Sequence, residues 1–215
     1  MSPTSRDLLT SHALHHGLRP SVVLQPAAAL QRDMLPLDAA FTPMLGAGLV
    51  RGRSVLCSGD AALAFAMGVV ARATQEGAWL AVVGIDDLGL AAAAEQGIAL
   101  QRTVLVTPPP IAREWEAAVA TAIDGFGVLM VHVPQGVAVR KVMTRAQARR
   151  VVTVVVDPTG HSAGACMPDI ALHTTTQEWF GIGEGSGHVQ ARDVRVQVGG
   201  RRAAGGASHI IRLHC

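Results

Sequence analysis

The chain has 215 residues, 49% of them hydrophobic and 16% charged, with 18 basic against 16 acidic side chains and a net charge of +2. That length suits one α/β domain with a sizeable core, and the apolar fraction excludes disorder over most of the chain. So small a charge gives no argument for nucleic-acid binding by itself, and no apolar run reaches the ~18 residues a membrane span needs. Three cysteines, Cys57, Cys166 and Cys215, show no CxxC spacing, which fits free thiols in a reducing compartment. The stretch after Met1 is polar and lacks a signal-peptide core, so the expected location is cytoplasmic.

In chain order, residues 4–17 read as a short helix capped by Thr4 or Ser5 and ended by Gly17, and Pro20–Pro36 reads as a linker holding a helical piece at Ala27–Arg32. Residues 45–53 are a turn-rich lead-in. A regular alternation follows. Ser54–Cys57 is a strand; Asp60–Gln75 is a helix, capped by Ser58 or Asp60 and stopped by Gly77. Trp79–Ile85 is a strand without period-two alternation, as expected when both faces are covered. Leu88–Gln96 is an alanine-rich helix and Thr103–Thr107 a strand broken by three prolines. Ile111–Asp124 is an amphipathic helix with Trp115, Val119 and Ala122 on one face. Val128–Val133 is the strongest strand, Arg140–Arg150 a basic helix, and Val151–Val156 another buried strand. Strands alternating with helices of this length predict a parallel sheet wound by helices on both faces. The tail differs: Ile170–Thr175, His188–Val198 and Ser208–Leu213 read as strands separated by glycine-rich breaks at 181–187 and 199–206. They predict an antiparallel extension with one exposed face.

Arginine outnumbers lysine seventeen to one, and the single lysine is Lys141. A loop that grips nucleotide phosphates is glycine-rich and ends in Gly-Lys-Ser/Thr, because the ammonium pairs with the β- and γ-phosphates and the hydroxyl binds Mg²⁺. After the first strand of the alternation, this chain instead reads Cys57-Ser58-Gly59-Asp60-Ala61-Ala62-Leu63.

The segment from Gln75 to Asp87, with its Gln-Glu-Gly turn, apolar strand and closing acidic pair, resembles the core of RecA recombinases, as does the lead-in Leu45-Gly46-Ala47-Gly48-Leu49-Val50-Arg51-Gly52-Arg53. The order continues through Glu95-Gln96-Gly97-Ile98, Val104–Pro108 and Phe126–His132, so the resemblance spans roughly residues 30–160. It implies an α/β fold: a RecA-like parallel sheet flanked by helices, with a C-terminal antiparallel β extension and a short N-terminal helix. The expected division is residues 1–33 (helix and linker), 34–160 (degenerate core) and 161–215 (β extension). By the same resemblance the phosphate-loop lysine falls near Ala62, its hydroxyl neighbour near Leu63, the Walker B aspartate at His132, and the water-activating carboxylate near Asp86. With three of these four replaced, the expectation is a core that is not an enzyme, with no catalytic residue, cofactor or metal.

Two families keep such a shortened core: the SulA cell-division inhibitors, which bind the tubulin-like division protein FtsZ, and the ImuA type, including the ImuA-prime proteins of actinobacteria. Length, the full set of core strands and the arginine-bearing tail look more like ImuA-prime. That resemblance implies an accessory role in DNA-damage-induced (SOS) mutagenesis and translesion synthesis. The direct partner would be an ImuB-type inactive Y-family polymerase subunit, with an error-prone C-family DNA polymerase and the sliding clamp engaged indirectly, in the cytoplasm and on the nucleoid when DNA is damaged. RecA protomers dock through an acceptor groove, and by position the corresponding partner surface is Leu105 with Trp115, Val119 and Ala122, by strand addition plus apolar anchors. The alternative is that these side chains line the core.

Arg140, Lys141, Arg145, Arg149 and Arg150 cluster on the basic helix, and Arg192, Arg195, Arg201, Arg202 and Arg212 on the tail. Arg140, Lys141, Arg145, Arg149, Arg192 and Arg195 are candidate phosphate or DNA contacts, weighed against solvated faces that keep an apolar protein soluble. No aromatic stripe accompanies either cluster, so platforms for stacking single-stranded nucleic acid are not expected. His12 and His16 have metal-compatible spacing without an HExxH pattern, and a solvated helix face accounts for them. Ser162 lacks a nucleophile elbow, so Asp157, His161, Ser162 and Cys166 read as loop chemistry without catalysis.

Overall fold

The computed structural model describes residues 33–183, 185–203 and 206–214. The expected helices at 4–17 and 27–32, with His12, His15 and His16, and Cys215 lie outside the described residues. Two two-residue strands, β1 (Met34–Leu35) and β2 (Leu49–Val50), pair antiparallel and bracket a 3-10 turn (Ala39–Phe41) and α1 (Thr42–Leu45). Within the expected lead-in, β2 therefore closes a small hairpin-like unit. Phe41 from this unit meets Phe65 edge-on, with ring centroids 5.0 Å apart.

The alternation then runs β3 (Ser54–Gly59), α2 (Ala62–Gln75), β4 (Leu80–Val83), α3 (Leu90–Glu95), β5 (Thr103–Val106), α4 (Ala112–Gly125), β6 (Val128–Val131), α5 (Val139–Ala148), β7 (Val152–Asp157) and a short α6 (Ala163–Cys166). Three long strands close the chain: β8 (Ile170–Gly183), β9 (Ser186–Gly199) and β10 (Ser208–His214). One sheet contains β10-β9-β8-β3-β7-β6-β4-β5 in that spatial order; the strands from β8 to β5 are parallel to their neighbours, and β9 and β10 are antiparallel. The parallel strands β3, β4, β6 and β7 are buried on both faces, which is why their sequences are continuous apolar runs.

Each face of the sheet has its own core. On one side Phe65, Val69 and Val70 of α2 pack with Cys57, Val82, Met130, Val154, Leu172, Val194 and Val196. On the other, Trp115 and Val119 of α4 and Val142 of α5 pack with Leu56, Val83, Leu129 and Val155. Burial of each large side chain contributes about 1.5–3 kcal/mol. Beyond β8 only the first face is covered: Val194, Val196 and Val198 are buried, while Arg195 and Gln197 between them are exposed. The one-faced extension expected from the tail is present.

The expected glycine-rich break at 181–187 is instead the end of a hairpin, with Ile182 opposite Gly187 and Gly183 opposite Ser186. A Cβ at Gly181 would lie 2.3 Å from the carbonyl oxygen of His188, so glycine lets the two backbones approach where the register shifts between Phe180 and Ile182. No described helix is long and apolar enough to cross a membrane.

Candidate functional site

The C-terminal ends of the parallel strands form the edge where open α/β sheets present ligands. Here β3 ends at Gly59 and α2 begins at Ala62, so only Asp60 and Ala61 lie between strand and helix. Neither Ser58 nor Asp60 caps α2, contrary to the expectation from sequence. Thr174 of β8 takes that place: its hydroxyl accepts the Ala61 N–H at 3.2 Å and donates to the Ser58 carbonyl at 2.7 Å. The Asp60 carboxylate turns outward and accepts the Thr176 N–H at 2.9 and 3.1 Å. The Gly59 N–H is held by the Pro158 carbonyl at 3.1 Å. Gly59 has φ +91°, and a Cβ there would lie 1.9 Å from the Thr174 carbonyl oxygen, so strand and loop touch backbone to backbone.

A phosphate cradle needs successive backbone N–H groups turned outward on a loop of several residues. In this loop the amides of Gly59 and Ala61 are engaged within the protein, the one charged side chain is acidic, and Ala62 and Leu63 open the helix. Ser58 Oγ lies 3.1 Å from His173 Nδ1 on the neighbouring strand. Cys57, one residue back, is fully buried, and burial pushes its thiol up to about 12.

His132 follows β6, where the resemblance places a metal-holding aspartate. Its Nδ1 donates to the Val156 carbonyl at 3.0 Å, and its own carbonyl accepts the Trp115 indole N–H at 2.9 Å. Asp86 is exposed beyond the end of β4. Asp157, at the end of β7, is 4% exposed. Burial alone would raise its carboxyl; hydrogen bonds from Ser162, Thr159 and Gly160 overcome that and hold it at about 2 against an ordinary 3.8. With Ser162 N–H and Oγ both at 2.6 Å, Asp157 organises its own loop. Burial likewise raises the Cys166 thiol. His132, Val137, Asp157, His161 and Ser162 line a cavity of ≈ 540 Å³ between the ends of β6 and β7. Among the described residues no three His, Cys, Asp or Glu side chains cluster as metal ligands would.

Of the expected partner surface, Leu105 is 44% exposed on β5, and its neighbour Val104 is 39% exposed. The strand β5 is the sheet's outer strand and pairs only with β4 among the described residues. Trp115, Val119 and Ala122 lie inside the core that seats α4 on the sheet. The amphipathic pattern that brought them together is the pattern of a core-facing stripe.

The basic residues divide. Arg145 and Arg149 both pair with Asp124, at 2.5 and 3.3 Å, and Arg150 pairs with Asp33. Arg140 and Lys141 are exposed and make no ion pair among the described residues. On the tail, Arg195 is exposed, Arg192 stacks over Trp179 at 5.1 Å, and Arg212 lies 4.2 Å from the Phe180 ring centroid while gripping Asp193 at 2.7 and 2.9 Å. Aromatic platforms therefore do accompany the tail arginines. The register Trp179↔Arg192 brings them together from positions too far apart for a local pattern to reveal.

The profile of the MT3502 N-terminal domain family matches residues 43–161, just over half of the chain. Among solved structures, a crystal structure of the RadB recombinase superposes with a TM-score of 0.58 at 14% identity, covering 81% of this chain and 93% of that one. At that identity the likeness concerns the fold, which is RecA-like. No curated protein matches the sequence.

Proposed function

The chain belongs to the MT3502 N-terminal domain family and carries a RecA-like fold, and from that premise we propose that it is a non-catalytic accessory protein of a DNA-damage-induced mutagenesis complex. Its partner in this reading is an ImuB-type polymerase-like subunit, which adds a strand along β5. The observation that carries the non-catalytic half is the tight β3–α2 junction, where the amides of Gly59, the last residue of β3, and of Ala61 are committed to Pro158 and Thr174 and the helix opens with Ala62 and Leu63. A triphosphate set there would meet an acidic side chain, Asp60, and no lysine. The outer side of β5, which pairs with no strand among the described residues and has Val104 and Leu105 exposed, supports the docking half.

Two measurements test the reading. Isothermal titration with Mg-ATP is expected to give no binding heat, and micromolar affinity would overturn the non-catalytic assignment. Affinity capture of the tagged chain from cells treated with a DNA-damaging agent is expected to recover the polymerase-like subunit. Recovery of FtsZ instead, with filamentous cells on overexpression, would move the assignment to the SulA type.

A further inference from the structure

At the opposite end of the sheet, Ser54 at the start of β3, Thr153 near the start of β7 and Asp169 just before β8 help frame a second, smaller cavity of ≈ 120 Å³ beneath α5. Three arginines line it, Arg53, Arg140 and Arg201, against a single carboxylate, Asp169. That carboxylate is already saturated. One oxygen takes Arg201 Nη2 at 3.0 Å and Arg202 Nε at 3.1 Å; the other takes the Ser54 N–H at 3.0 Å and its hydroxyl at 3.3 Å. Arg53 and Arg140 have no acidic partner among the described residues. The cavity therefore carries uncompensated positive charge.

A second, independent feature lies in the same wall. Thr153, opposite Ser54 in the β3–β7 register, is 1% exposed, and its hydroxyl has no hydrogen-bond partner among the described residues. A buried hydroxyl left unpaired costs free energy, and native structures rarely leave one without a reason. Thr144 also lines the cavity, its hydroxyl already donating to the Arg140 carbonyl at 2.9 Å. Guanidiniums with a hydroxyl donor suit a tetrahedral oxyanion.

We propose that this cavity is a binding site for a phosphate group, held by Arg53 and Arg140 and by the Thr153 hydroxyl, with Arg201 shared between Asp169 and the ligand. The group is either a free phosphate or a backbone phosphate of single-stranded DNA. This inference stands apart from the nucleotide edge and from the accessory-protein reading.

The test is a titration of the full chain with inorganic phosphate at constant ionic strength, followed by amide shifts of residues 53, 140 and 153. A saturable response at millimolar phosphate is expected, absent with chloride. Arg140→Gln removes a charge from an exposed position and is expected to weaken binding about tenfold, as loss of a hydrogen bond to a charged group does. Thr153→Val separates ligand contact from a merely structural hydroxyl: it is expected to raise the melting temperature of the unliganded protein and to weaken phosphate about tenfold. A short oligo(dT) distinguishes the sources. Competition with phosphate, lost in the same variants, marks the backbone of DNA; phosphate binding without oligo(dT) binding marks a free phosphate. No saturable response to either ligand, or an unchanged phosphate affinity in both variants, would overturn the proposal.

Discussion

Asp157 is the carboxylate that its hydrogen bonds hold furthest below the ordinary range among the described residues. A carboxyl near 2 when folded and 3.8 when unfolded contributes stability that is fully present above about pH 4 and lost as pH falls toward 2. The difference amounts to about 2 kcal/mol. Asp157→Asn is therefore expected to cost about that much at pH 7, with the gap between variant and parent closing near pH 2. Urea unfolding at the two pH values measures it, and an equal gap at both would show that the carboxylate charge is not the cause. Gly59 carries a different kind of constraint. Gly59→Ala sets a methyl 1.9 Å from the Thr174 carbonyl oxygen at φ +91°, so the β3–β8 pairing must move. The expected loss exceeds about 3 kcal/mol. Ordinary helix-like tolerance, a loss under about 1 kcal/mol in the same urea assay, would mean that the close approach is not a real restraint.

At the scale of elements, β5 and α4 separate what a partner could touch from what holds the fold. Leu105→Lys puts a charge on an exposed edge strand, the device natural sheets use to block strand addition. It is expected to abolish partner recovery while changing stability by less than about 1 kcal/mol. Trp115→Ala removes a buried ring and its hydrogen bond to His132, at an expected cost of about 3–5 kcal/mol. If Leu105→Lys still recovers the partner, docking is elsewhere. The contrast also explains which parts of the molecule were legible beforehand. β6 and β7 were plain because unbroken, largely apolar runs of that length fit strands covered on both faces. The stripe of α4 was equally plain, but a stripe looks the same whether it faces a core or a groove, and only the sheet beneath Trp115, Val119 and Ala122 decides. The cap of α2 was hidden because Thr174 lies 113 residues from Ala61. The Arg192–Trp179 stack and the cavity holding Thr153 depend likewise on register, which local patterns do not encode. The strands β1 and β2 are two residues each and carry no period to read.

For the molecule as a whole, the question is whether the tail folds with the core or on its own. Val194 and Val196 of β9 and Leu213 of β10 share one continuous apolar layer with Phe65, Val69 and Val70 of α2 and with Val154 of β7. The sheet adds to this, since β8 pairs with β3 along Val55–Gly59 and with β9 on its other side. The end of β10 also lies beside α2, where Gly68, Ala71 and Arg72 line one cavity with Ile211 and Leu213. Elements that share a core in this way melt together. The three tryptophans report from separate places, Trp115 from α4, Trp179 from β8 and Trp79 from just before β4. Far-ultraviolet circular dichroism and tryptophan fluorescence are thus expected to trace one coincident urea transition. Truncation after Gly183 is expected to abolish it rather than to leave a folded core with a lower midpoint. A truncated chain that still unfolds cooperatively, or a parent chain whose two signals part during the titration, would show that β9 and β10 are an appendage and that the layer shared with α2 contributes little.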